Sequence, residues 1–169
     1  TTESGLMVLN PATGRTRTYD HRDGLQANVF HPSACFKTQD GEMLFGGLNG
    51  FNRFFPGHIT PNPYRPPVVL TAVRKSGKPL RFDRPLPDLE TLEVAHGDTS
   101  LSFQFAALSF SAPEKNQYAY KIEGIHHEWI HLENRHRVDI AGLGPGNYTF
   151  RVKAANSSGT WNDTGISLK

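Results

Sequence analysis

The chain has 169 residues, a length that suits one domain with a sizeable core or two small domains. Its 18 basic and 16 acidic residues give a net charge of +2, so no nucleic acid or acidic membrane surface is expected as an obligatory partner. Twelve prolines and sixteen glycines separate short apolar runs, a pattern typical of all-β proteins with many turns.

The first 55 residues contain an internal repeat. Residues 5–11 resemble residues 50–56 in the placing of a glycine, two apolar side chains and a proline, and the copies are 45 residues apart. That offset lies within the roughly 40–50 residues of a β-propeller blade. Strands are predicted between the copies at residues 16–19, 34–37 and 43–46, and Asp-Gly or Asn-Gly turn signals separate them.

Residues 23–25, 40–47 and 49–54 resemble the regulator-propeller blade repeat, in which an Asp-Gly-x-Leu-Trp-Phe-Gly-Thr core recurs once per blade. Here Leu44 stands at the Trp position and Gly47 at the Thr position, as in an atypical terminal repeat. Residues 1–55 are therefore predicted to be a partial propeller repeat of about one blade, in a fragment of a longer protein. Because an exposed blade edge favours pairing between chains, a homo-oligomer is expected, as a dimer with or without exchanged strands.

Five prolines in residues 56–67 predict a stiff, extended linker. Strand patterns follow over residues 68–169, and residues 80–84, between two prolines, are an edge strand or a loop. Alternation is clearest at Leu101, Phe103 and Phe105, which share one face. About seven short strands in this length favour an immunoglobulin or fibronectin III-like sandwich. The predicted strands are residues 68–74, 92–94, 101–105, 118–122, 137–140, 148–154 and 165–168.

The segment Leu143-x-Pro145-Gly146-x-Tyr148 has the spacing of a tyrosine corner, in which the Tyr hydroxyl bonds to nearby backbone. Trp129 or Trp161 is expected to supply bulk to the core. Together with the alternating strands around them, these residues resemble the Y_Y_Y domain. The residues that carry the resemblance are Tyr120, Gly124, Trp129, Pro145, Gly146, Tyr148, Asn156 and Trp161.

The Y_Y_Y family follows regulator-propeller arrays in bacterial two-component sensors, hybrid histidine kinases and some diguanylate cyclases. The resemblance implies a non-enzymatic, extracytoplasmic relay, in the periplasm, between a ligand-sensing propeller and a membrane helix. It implies no cofactor, and its partners are propeller blades upstream and membrane and output segments downstream. Within the sandwich, residues 159–168 are expected to lie nearest the membrane.

The run His127-Glu128-Trp129-Ile130-His131 satisfies the His-Glu-x-x-His pattern of zinc proteases. That chemistry needs a helix, whereas strands are predicted on both sides. Residues four apart in an extended segment are roughly 13 Å apart, too far for one zinc ion with ligands at about 2 Å. The pair His127 and His131 is left as a weak metal candidate, beside a pH-sensing role and the simpler interpretation of exposed loop histidines.

The alternative function is a carbohydrate-binding module of an extracellular enzyme, which would need a line of exposed aromatic side chains. Phe51, Phe54 and Phe55 could form such a platform, although blade core is their expected use. Cys35 is expected to be a small core residue rather than a nucleophile. No catalytic residues are predicted, because no nucleophile elbow, phosphate loop or dinucleotide fingerprint occurs.

Overall fold

Short strands make up nearly all of the regular structure. The computed structural model describes residues 2–14, 16–95 and 100–169. Packing divides the chain into two units, Thr1–Thr60 and Pro61–Lys169. The helical segments of the described residues are short 3₁₀ turns at His21–Asp23, Pro56–His58, Leu86–Asp88 and Pro113–Lys115.

The first unit contains a two-stranded and a three-stranded antiparallel sheet. The two-stranded sheet pairs β1 (Leu6–Leu9) with β2 (Thr16–Tyr19). The other sheet has the order β3, β4, β5 and is formed by β3 (Phe30–Lys37), β4 (Met43–Gly47) and β5 (Gly50–Phe54). The strands predicted between the repeat copies are confirmed, and β3 begins four residues before the predicted position.

Two expectations about the interior of the first unit are wrong. Cys35 is exposed on β3, and Phe51 on β5 is 63% exposed. Phe54 is partly buried and stacks on Phe45, with ring centroids 5.8 Å apart. The physical reason is that a three-stranded sheet has two faces, and one small unit has too few apolar side chains to cover both.

The second unit is a sandwich of two four-stranded antiparallel sheets. The first sheet has the order β11, β8, β6, β7, and the second has the order β10, β9, β12, β13. Their bounds are β6 Val68–Lys75, β7 Lys78–Pro79, β8 Ser100–Ala107, β9 Gln117–Glu123, β10 Ile130–Glu133, β11 Arg137–Ala141, β12 Thr149–Ala155 and β13 Trp161–Leu168. The prediction of an all-β, immunoglobulin or fibronectin III-like fold is confirmed.

The core lies between the two sheets and follows the alternation of the strands. Phe103 and Phe105 of β8 are buried, as are Phe150 and Val152 of β12. Phe103 stacks on Phe150 across the sandwich, with ring centroids 4.5 Å apart. Complete burial of a side chain of this size contributes about 1.5–3 kcal/mol, so these strands hold the sheets together.

Residues 92–94 do not form a strand, in contrast to the prediction. The backbone N–H of Leu92 donates to the carbonyl of Lys169 at 2.7 Å, and Lys169 N–H donates to Glu90 at 2.9 Å, without a longer ladder. Residues 80–84 lie outside the short strand β7, which ends at Pro79. Proline has no N–H to donate, and the prolines at positions 79, 85 and 87 interrupt pairing here.

The sandwich has two ends, which we call the proline end and the far end. The proline end holds the beginnings of β6 and β13, next to residues 61–67. At the far end Leu168 pairs with Phe150. The sequence-based expectation placed residues 159–168 together at one end. In the structure β13 runs the length of the sandwich, so Trp161 and Leu168 lie at opposite ends.

No helix within the described ranges has the length and apolar character that crossing a bilayer requires.

Candidate functional site

Asn156 joins the proline-rich segment to the second sheet. It follows β12 and is wholly buried. Its Nδ2 donates to the carbonyls of Asn62 at 2.9 Å and Tyr64 at 2.6 Å. Its Oδ1 accepts from the backbone N–H of Ser158 at 2.8 Å and of Thr160 at 3.1 Å. The amide therefore shapes the β12–β13 turn and holds the incoming chain at the same time.

Neighbouring side chains extend this contact, which we call the proline anchor: residues 156–162 holding residues 62–66. The hydroxyl of Thr160 donates to the carbonyl of Asn62 at 2.7 Å, and Asn162 Nδ2 donates to the carbonyl of Pro66 at 3.0 Å. A proline-rich segment has few N–H groups, so side-chain donors to its carbonyls suit it. Part of the predicted linker is thus fixed to the sandwich.

Tyr148 makes the contact that a tyrosine corner requires. Its hydroxyl donates to the carbonyl of Gly144 at 3.3 Å, within the loop before β12. The ring lies against Gly146, where an added Cβ would be 3.4 Å from the Tyr148 hydroxyl. Pro145 is exposed at the tip of this loop. The residues therefore serve to shape the backbone.

Trp129 and Trp161 lie outside the hydrophobic core, so the expectation that one of them fills it is wrong. Both are partly buried on the outward face of the second sheet. The ammonium group of Lys153 lies 4.6 Å from the Trp129 ring and 5.2 Å from the Trp161 ring, and it pairs with Asp163 at 2.7 Å. This tryptophan–lysine cluster is a cation–π arrangement.

The cluster covers backbone on the outward face of the sheet. Ala119, whose cross-strand neighbours are Lys153 and His131, is fully buried although it points away from the core. The His131 ring meets Trp161 edge to face, with centroids 5.6 Å apart. Strand alternation shows that Lys153 points outward, but no sequence signal links it to two tryptophans that are distant in sequence.

The histidines of the His-Glu-x-x-His run are not brought together on a helix. His127 lies in the loop between β9 and β10, and His131 lies on β10. Within the described residues no group of three or more His, Cys, Asp or Glu side chains is placed to hold a metal ion. The run is therefore a loop followed by the start of β10, and not a helix.

His126, a neighbour in the same loop, has a structural contact. Its Nδ1 accepts from the backbone N–H of Ile122 at 3.1 Å, and its ring meets Tyr120 edge to face at 5.5 Å between centroids. Gly124 lies in the same turn with a φ of 94°, which suits glycine. Tyr120 and Gly124 therefore belong to the β9–β10 turn and its packing.

A cavity of about 850 Å³ opens at the far end of the sandwich. Its walls include Leu101 and Phe103 from the first sheet, Ile122 and Phe150 from the second, and Tyr148 from the corner loop. Most of the other wall residues belong to the loops 91–95 and 142–147, so the cavity lies between the end of the core and these loops.

Comparison with known proteins identifies the C-terminal part of the chain. Residues 109–169 match the family described as the Y_Y_Y domain, which confirms the predicted resemblance. The match covers β9 to β13, including the proline anchor's Asn156 and both tryptophans.

Similar proteins extend the comparison to nearly the whole chain. A protein named histidine kinase P4, from Formosa agariphila, is 30% identical over 166 residues, which are 94% of this chain and 12% of that protein. The extracellular domain of a protein described as the hybrid two-component system BT3049, from B. thetaiotaomicron, has a TM-score of 0.71 at 26% identity, over 98% of this chain and 23% of that one. The extracellular domain of BT4673 from the same organism has a TM-score of 0.55 at 25% identity, again over 98% of this chain and 22% of that one.

Proposed function

We propose that this chain, whose residues 109–169 match the Y_Y_Y domain, is an extracytoplasmic relay segment of a bacterial membrane sensor. The similar solved structures are extracellular domains of signalling systems, and the chain spans 12% of the histidine kinase it matches. The relay has no catalytic role of its own. It connects a ligand-sensing propeller on its N-terminal side with the membrane and an output domain on its C-terminal side. Because the relative named above is a histidine kinase, a histidine kinase is favoured over a diguanylate cyclase as the output domain.

The observation that carries the proposal is the proline anchor. A rigid-body relay needs a firm connection where the signal arrives, and Asn156 supplies one by binding the carbonyls of Asn62 and Tyr64. The chain then crosses the sandwich, so that Lys169 lies at the far end. Movement of residues 62–66 is therefore passed to β12 and β13 and through them to the opposite end of the domain.

The test uses the longer protein that contains this chain, reconstituted with its membrane segment in lipid vesicles. Autophosphorylation from ATP and synthesis of cyclic diguanylate are measured for the natural protein, for Asn156→Ala and for the control Asn134→Ala, an exposed loop residue. We expect the natural protein to show one of the two activities. The basal rate of that activity should change several-fold in Asn156→Ala and stay the same in Asn134→Ala. The absence of both activities, or equal rates in all three proteins, would contradict the relay.

The carbohydrate-binding alternative is tested separately on a glycan array. In the platform considered above, Phe51 is 63% exposed but Phe54 is partly buried and stacked on Phe45. On the sandwich, the ammonium group of Lys153 already lies over the rings of Trp129 and Trp161. We therefore expect no glycan to be retained by the chain. Retention that is lost in Phe51→Ala or in Trp129→Ala would favour the binding module instead.

A further inference from the structure

The cavity at the far end of the sandwich has the size and the walls of a small-molecule site. Its volume is about 850 Å³, and pockets for drug-sized ligands span roughly 300–1,000 Å³ with predominantly apolar walls. Both sheets contribute core side chains to it, including Phe103, Ile122, Ile140 and Phe150. Folded proteins contain few voids larger than a water molecule, because the atoms that line a void lose their contacts. An apolar occupant would restore these contacts.

The two loops that complete the walls are held in place by hydrogen bonds. In the corner loop, the Tyr148 hydroxyl donates to the carbonyl of Gly144 at 3.3 Å. The loop of residues 91–95 is tied to the end of the sandwich, since Leu92 N–H donates to the carbonyl of Lys169 at 2.7 Å. The space between the loops is therefore set before a ligand arrives, which lowers the free-energy cost of binding.

The polarity of the lining indicates the class of ligand. Among the described residues that line the cavity, the charged ones are Glu93 and Lys169, and both are exposed. Their charges are opposite, and the core walls would leave a buried ion without a partner, so an ion of either sign is disfavoured. Thr91, Asn147 and Thr149 bring uncharged hydroxyl and amide groups to the lining, and no hydrogen bond of the described residues uses these side chains. An uncharged molecule with an apolar body and one polar group matches this lining.

We propose that this cavity binds one small, uncharged amphiphile, a molecule with an alkyl or aromatic body and a hydroxyl or amide group. The body lies against Ile122 and Phe150, and the polar group bonds to the hydroxyl and amide groups of the lining. The site lies within the sandwich, so it is independent of the proposed relay function and can be tested on this chain alone.

The test follows the isoleucine methyl groups by NMR while 1-octanol is added to the 169-residue chain. Two of the six isoleucines, Ile122 and Ile140, line the cavity. Ile125 and Ile130 are 45% and 37% exposed and lie outside the lining, so they report on non-specific adsorption. We expect saturable shifts at Ile122 and Ile140, with one octanol bound per chain, and unchanged signals at Ile125 and Ile130. The absence of saturable shifts at the lining pair would overturn the proposal.

Two matched phenylalanine substitutions test where the ligand binds. Thr91→Phe adds a large side chain to the lining, whereas Thr71→Phe adds it at an exposed position of β6 away from the cavity. We expect octanol affinity to fall about tenfold or more in Thr91→Phe and to stay within about twofold in Thr71→Phe, because only the first fills space that the ligand needs. Tryptophan fluorescence verifies that each variant is folded, since neither tryptophan lines the cavity.

Equal affinity in the natural chain and both variants would contradict the site. So would shifts of Ile122 and Ile140 that phosphatidylcholine vesicles produce and octanol does not, because the occupant would then be a membrane lipid and not a small amphiphile.

Discussion

At the scale of single residues, the side chains that matter most are those that bond to backbone. Asn156 uses both its donor and its acceptor groups, and Tyr148 and His126 each fix a loop through one hydrogen bond. These residues hold chain segments in place, and none of them is placed to carry a reaction. A family signature can therefore consist of residues that shape the fold.

Replacement of Asn156 by alanine is predicted to remove the four hydrogen bonds of its amide, two donated by Nδ2 and two accepted by Oδ1, while the carbonyl of Asn62 keeps the Thr160 hydroxyl. We expect a loss of about 3 kcal/mol in the free energy of unfolding, together with faster exchange around residues 62–66. Urea unfolding and hydrogen exchange measure the two effects. Asn134→Ala, at an exposed position, is the control, and an equal stability of the two variants would show that the anchor contributes nothing.

Asp139 is predicted to titrate below the ordinary range of a carboxyl group. Arg137 donates to its Oδ1 at 2.7 Å, and this bond lowers the pKa of Asp139. A lowered pKa stabilises the fold above the carboxyl group's unfolded pKa, and the contribution is lost as the pH falls through the folded value. In Arg137→Gln we expect the pKa of Asp139 to rise, as measured by NMR titration. Arg151→Gln, whose partner is Glu123, should leave it unchanged.

At the scale of strands, the sequence predicts most elements well because burial follows a period of two. Leu101, Phe103 and Phe105 are buried as their alternation requires. The wrong predictions share one cause. Alternation shows which face of a strand a side chain belongs to, but it does not show which other part of the protein covers that face or pairs with the edge of the strand. Residues 92–94 look like a strand but make only isolated bonds with the chain at Lys169, and Cys35 sits on a face that its own unit leaves exposed.

The candidate site is harder to predict than the strands. Asn156 stands out through the family resemblance, yet its partners are carbonyl groups of residues more than ninety positions earlier. Backbone acceptors have no sequence signature. The tryptophan–lysine cluster is likewise a product of strand order, because Lys153 meets Trp129 only when β12 lies beside β9.

Gly165, the glycine of β13, is predicted to be more sensitive to substitution than Gly159 in the turn before the strand. Its φ is 54°, and an added Cβ would overlap the carbonyl oxygen of Val152, beside the irregular register between Val152 and Ala154. We expect Gly165→Ala to cost more than about 3 kcal/mol, because the strand must shift as well as adopt a strained φ. Gly159→Ala is the control: its φ is also positive, at 81°, but it has open space, so about 1 kcal/mol is expected. Thermal unfolding compares the two.

At the scale of the whole chain, the two units differ in how much apolar surface they bury. Leu6 and Phe30 are the buried apolar side chains described in the first unit, while all the others belong to the second. The first unit is therefore expected to be the less stable one. The homo-oligomer expected from its exposed edges stays a prediction, to be checked by light scattering across a range of concentrations.

Unfolding in urea is predicted to occur in two steps. Both tryptophans belong to the second unit, so their fluorescence should follow the sandwich alone. Circular dichroism reports on both units and should show an earlier transition that fluorescence lacks. Coincident transitions by the two methods would show that the units unfold together.

The course of the chain through the sandwich also determines how it would bear a mechanical load. A pull applied between Pro61 and Lys169 acts along β6 at one end and along β13 at the other, parallel to strands that pair with β8 and β12. Such a load shears many hydrogen bonds at once, whereas a pull across a hairpin opens them one by one. The domain is thus built to carry tension lengthwise without extending, and single-molecule stretching should show a higher unfolding force between these residues than between Thr149 and Lys169, which lie together at the open end of the β12–β13 hairpin.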